Sequence, residues 1–161
     1  MKPLLSSVAF SGAMILLALA ACQRGPQSGM TSVPGHGAIT IQVVPNPIVA
    51  KPVSGSTYDF PFDVVVRETG GRAITVRRVT VTVFGPGGLS LGNDSWDEQQ
   101  IRAMGHSTIV AAYSEERLHF NVRKDVPDER LFSSVSAELK VEATDDTGSE
   151  TSATTAVTVR K

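Results

Sequence analysis

Between Ala38 and Lys161 the chain returns again and again to apolar residues at every second position, a spacing that lines up on one face only in an extended strand. Ile39, Ile41 and Val43 alternate with Thr40 and Gln42. Tyr58, Phe60, Phe62, Val64 and Val66 stand opposite Asp59, Asp63 and Arg67. Val79, Val81 and Val83 alternate with threonines, and Leu118, Phe120 and Val122 with His119, Asn121 and Arg123. Val135, Ala137, Leu139, Val141 and Ala143 form another such face, and Ala153, Thr155, Val157 and Val159 the last. With the segment from Ser107 to Tyr113, this amounts to about seven strands, each with one dry and one wet face.

Strands of that length with no helices between them bury their dry faces by packing one sheet on another. The expectation is an all-β domain, a two-sheet antiparallel sandwich, with Phe62, Val64, Val81, Phe120, Leu139 and Val157 pointing inward. In architecture and texture, residues 38–161 resemble the immunoglobulin-like and fibronectin-III-like sandwiches of bacterial envelope proteins. The Cys–Trp–Cys signature of true immunoglobulin domains is absent, and the one Trp, Trp96, is read in a polar connection.

Local chemistry refines this outline. Pro45 and Pro47 interrupt an apolar run, and proline cannot donate to a ladder, so the run is an edge strand that breaks and can change sheet. The alternation slips between Arg77 and Arg78, which a β-bulge would produce. Gly148 in TDDTGSE and the glycines of ETGGR suit turns. Residues 95–104 carry the one helical suggestion: Ser95 and Glu98 are spaced as a capping box, and Gly105 suits the C-terminal end. Trp96 is then either a lid on the edge of the core or an exposed binding aromatic, the lid being favoured.

Ahead of the strands lies a segment of a different kind. Met1 and Lys2 open a short positive start, an apolar run from about Val8 to Ala20 follows, and small residues close it, the pattern of an export signal. Leu19-Ala20-Ala21-Cys22 resembles the lipobox of bacterial lipoproteins, and Cys22 is the chain's single cysteine. The resemblance implies thioether lipidation of Cys22, cleavage after Ala21 and acylation of the new amino terminus. It therefore implies a protein of the bacterial cell envelope anchored to the membrane by lipid. Gln23, where Asp would favour the inner membrane, implies the outer membrane if the source is Gram-negative. The organisation expected is a signal peptide at 1–21, a lipidated tether at 22–37 and the sandwich at 38–161. From Gln23 to Gly37 the text is Gly-, Pro- and Ser-rich, a flexible tether with nothing to dock, in which His36 is read as solvated. One cysteine permits no internal disulfide, so the core alone must stabilise the domain.

Composition narrows function by exclusion. Removing the signal takes away Lys2, one of 15 basic residues, and none of the 16 acidic ones. The mature chain is slightly acidic, without the basic stripe that nucleic acid requires. No catalytic motif, phosphate loop or cofactor signature is present, so no catalytic, cofactor or metal residue is assigned. His106 and His119 lack a metal-ligand spacing, and His119 falls on a polar face. Asp94, Asp97 and Glu98, and Asp145, Asp146 and Glu150, cluster without the alternating oxygens of a calcium loop. They are read as capping and turn residues. The sequence thus points to a non-enzymatic, lipid-anchored binding or scaffolding module, monomeric, with an envelope protein as partner. The alternatives are an accessory lipoprotein that captures a partner by an edge strand, and an envelope enzyme with an unrecognised site.

Overall fold

A computed structural model describes residues 35–161; the signal segment, Cys22 and residues 23–34 of the expected tether lie outside the described residues. The chain forms strands β1 (Ile39–Val44), β2 (Ile48–Val49), β3 (Lys51–Ser54), β4 (Thr57–Glu68) and β5 (Ile74–Phe84). After them come β6 (Ser90–Asp97), helix α1 (Glu98–Ala103), β7 (Ile109–Val110), β8 (Glu115–Asp125), β9 (Ser136–Asp145) and β10 (Glu150–Arg160). A 3-10 turn, Glu129–Ser133, bridges β8 and β9.

Two sheets result. In one, β4 has β8 along one edge and β1 and β3 along the other. In the second, the order is β2-β10-β9-β5-β6, with β7 sharing the β5 edge beyond β6. The pairing departs from the purely antiparallel expectation at one place: β2 runs parallel to β10, with Ile48 opposite Val159. The Pro45–Pro47 break explains it, because β1 lies in the first sheet and β2 in the second, so the chain changes sheet between two residues that cannot donate.

Alternation set the interior. Phe62, Val64, Val81, Phe120, Leu139 and Val157 are all buried, and one core joins β4 and β8 to β5, β9 and β10. The Phe62 and Phe120 rings stack with centroids 5.6 Å apart. The register of β5 against β9 shifts between Val76 and Arg78, which makes Arg77 the bulged residue and leaves both arginines exposed.

Residues 90–97 are the principal correction. Trp96, expected in a polar connection, and Ser95, expected to cap the helix, instead lie in strand β6, with Trp96 paired to Val79. Because the strand continues to Asp97, the helix starts later than Ser95 and Glu98 suggest. Asp97 is the cap: its side chain accepts from the Gln100 N–H at 2.8 Å, and the Gln100 side chain accepts from the Asp97 N–H at 2.9 Å. Ser95 lies in the ladder opposite Thr80, out of reach of the helix. Gly105 does end the helix, at φ 88°.

Candidate functional site

The inward faces of β4 and β9 each run one step further than their apolar residues. After Val64 and Val66 the next inward position of β4 is Glu68, and after Val141 and Ala143 that of β9 is Asp145. Both carboxylates are buried, Glu68 to 1% exposure. Burial of a carboxylate costs free energy unless donors surround it, and here they do. Glu68 Oε1 accepts from the N–H groups of Ala38 (3.2 Å) and Gly70 (2.6 Å), and Oε2 from those of Gly71 and Tyr113, each at 2.9 Å. Desolvation pushes the Glu68 pKa up, but the four backbone donors outweigh it and hold the group below its ordinary value. The Thr147 hydroxyl at 2.6 Å, aided by the N–H groups of Gly37, Ser149 and Thr147, holds Asp145 far below the usual carboxylate range.

These two groups clamp the incoming chain. Gly37 N–H donates to Asp145 and Ala38 N–H to Glu68, while the Arg72 guanidinium donates to the Gly35 carbonyl at 2.6 Å. Residues 35–37 of the expected tether are therefore attached to the sandwich. His36 is half-buried rather than solvated, its Nδ1 lying 3.7 Å from Asp145. Close approach requires Gly70: a Cβ there would stand 2.3 Å from the His36 carbonyl oxygen.

At the opposite end of the same strands the sheets part around an apolar cavity of about 260 Å³. Phe60 and Phe62 of β4, Val81 and Val83 of β5, Val122 of β8 and Ala137 of β9 form its walls, and Leu131 and Phe132 of the 3-10 turn cover it. The void has a local cause in β6. Its inward positions are Gly92, Asp94 and Trp96, opposite Val83, Val81 and Val79. Only Trp96 is large and apolar, and its ring packs 4.6 Å from that of Phe120, as a lid on the core edge. Gly92 contributes no side chain, and Asp94 turns to Lys124 Nζ at 2.8 Å across the mouth. Leu91, unpaired at a register shift in β6, also lines the cavity, and both it and Leu89 stand exposed.

Most of the remaining residues singled out by sequence have structural partners. His119 is not simply solvated: its Nδ1 lies 2.7 Å from Asp63 Oδ1, and Arg117 holds the other Asp63 oxygen at 2.9 Å. These groups belong to a row of cross-strand ion pairs on the outer face of β4 and β8, with Asp59–Arg123 and Arg67–Glu115. His106 meets His119 through the backbone, its Nε2 lying 3.2 Å from the His119 nitrogen. Glu98 pairs with Arg77 and Arg102, and Asp146 with Arg72. Among the described residues no three His, Cys, Asp or Glu side chains converge as a metal site would require.

No family model matches the chain, and no curated protein is similar to it in sequence. Solved structures share its architecture. One is Northeast Structural Genomics Consortium target SoR45, with a TM-score of 0.51 at 8% identity over 80% of this chain and 90% of that one. Another is a Bordetella pertussis protein described as ApaA, with a TM-score of 0.50 at 12% identity over 79% of this chain and 98% of that one. Identities so low speak to the fold alone.

Proposed function

We propose that the chain is a lipid-anchored, non-enzymatic binding or scaffolding module of the bacterial cell envelope, an immunoglobulin-like sandwich displayed on a lipid at Cys22. The observation that supports it best is the polarity of the domain. The N-terminal segment enters at the Glu68–Asp145 end, whereas the apolar cavity opens at the other. Ala137 and Asp145 mark the two ends on β9, and at about 3.3 Å per residue they lie roughly 26 Å apart. A lipid anchor at Cys22 would precede the clamp end in the chain, so the clamp end is the end tied to the membrane and the cavity lies at the end away from that attachment. Gln23 favours the outer membrane of a Gram-negative cell. The domain acts as a monomer, with an envelope protein as its partner and no part in nucleic-acid binding.

The test is fractionation. The wild-type chain should resist carbonate extraction from membranes, and Cys22→Ser should be released or persist as an uncleaved precursor. Normal membrane retention of Cys22→Ser would refute the reading. A second reading, an accessory lipoprotein that captures a partner by strand addition, is favoured by one observation: among the described residues β6 pairs with β5 alone and leaves its outer edge open.

A further inference from the structure

We infer that the open edge of β6 and the cavity behind it form one receptor for an extended segment of a partner polypeptide that carries an aliphatic and a basic residue two positions apart, on the one face turned inward. The segment adds as a strand beside β6, places an aliphatic side chain in the cavity and sets a basic one against the acids at its mouth. This rests on the reading of the chain as a binding module and names the chemistry of its partner.

Strand addition takes its affinity from main-chain hydrogen bonds and its specificity from pockets that receive alternate side chains. Both elements are present here. From Gly92 to Asp97, past the register shift at Leu91, β6 lacks the Lys and Pro residues that commonly blunt an edge, and its one charge directed at the cavity, Asp94, is neutralised by Lys124. Neighbours across a ladder fill one another's space. An inward side chain level with Gly92 meets no side chain there and continues into the apolar cavity.

Charge selects the occupant. Three charged residues line the cavity, Asp94, Lys124 and Asp125. Lys124 is bound to Asp94, while Asp125 has no cationic partner among the described residues and is held only by the Thr57 hydroxyl at 2.5 Å. The mouth therefore carries a net negative charge and complements a basic residue. A second copy pairing through β6 would bring Asp94 and Asp97 against their own kind, since this strand contains no base. The chain's own N-terminal segment enters at the far end of the sandwich.

The experiment titrates the full chain, offered to phosphatidylcholine vesicles, with a short synthetic peptide in which leucine and lysine stand two positions apart with threonines between them. Emission of Trp96, the single tryptophan, reports from β6 itself. A saturable shift is expected. Ala137→Leu, which fills the cavity, and Asp125→Lys, which reverses the mouth charge, should each weaken it at least about tenfold. Asp146→Lys, at the clamp end, should leave it unchanged. Methylating alternate backbone nitrogens of the peptide should abolish binding in one phase and spare it in the other. The proposal is overturned by any of three results: no saturable shift up to about 1 mM peptide, equal binding of both methylated peptides or of decylamine, or binding that both Ala137→Leu and Asp125→Lys leave intact. Self-association of the chain that the peptide fails to compete would assign the edge to a second copy and also overturn it. A chain that stays in solution refutes anchoring, yet its Trp96 titration remains readable, so the two failures are distinct.

Discussion

Glu68 and Asp145 show how a single polar residue in an apolar row can organise the end of a domain. Each occupies the next inward position of an alternating strand, so its burial is written in the period, while its chemistry argues for the surface. Sequence reading places Asp145 in the turn TDDTGSE and Glu68 at the head of the turn ETGGR, and nothing local shows that Tyr113 and Ala38 for Glu68, and Gly37 for Asp145, complete the donor sets that permit their burial. Glu68→Gln keeps the shape but turns an amide toward backbone N–H groups, and should cost at least about 2 kcal/mol in urea unfolding. The pH dependence follows from depressed folded-state pKa values. The stability these carboxylates provide is complete above their unfolded pKa of about 4. It declines below that, as the unfolded chain takes up protons that the folded one refuses, and is gone once pH passes below the folded values. Melting temperature should therefore hold level from neutrality to about pH 5 and then drop. Asp145→Asn should melt lower at pH 7 and show a shallower acid decline; an unchanged acid limb would remove Asp145 from this role.

Elements were legible where both faces kept their character. β4, β8 and β9 alternate without interruption, and which of their side chains face inward was readable from sequence. Phe120, buried to 1% exposure between Phe62 and Trp96, should cost roughly 3–5 kcal/mol when truncated to Ala. β6 escaped for the same physical reason that it matters. Gly92 and Asp94 stand where a closed edge would carry apolar side chains, so the period-two signal vanishes and the capping residues beyond it dominate the reading. The start of the domain was misjudged in a similar way, since a Gly-rich segment has no side chains to dock but does have amides. A chain beginning at Ala38 lacks the Gly37 N–H that donates to Asp145 and the Gly35 carbonyl that Arg72 holds. It should melt roughly 3–6 °C below one beginning at Gly35, in paired calorimetric scans.

For the molecule as a whole, a strand framework without a disulfide carries a clamp at one end and an unfilled cavity at the other. Of the clustered acids read as capping and turn residues, Asp94 is bound to Lys124, Glu98 to Arg77 and Arg102, Asp146 to Arg72, and Asp97 and Asp145 to backbone amides. Neither EDTA nor added calcium should move the melting temperature, because only a ligand of the native state stabilises it; a rise of several degrees with calcium would reassign them. The central claim is that this polarity serves a domain hung from a membrane by the lipid on Cys22. Intact-mass and peptide spectrometry of the protein extracted from membranes tests it most directly. The account predicts an amino terminus at Cys22 carrying diacylglycerol on sulfur and an acyl chain on nitrogen. A chain that begins at Met1, or one cleaved elsewhere with an unmodified Cys22, would contradict it.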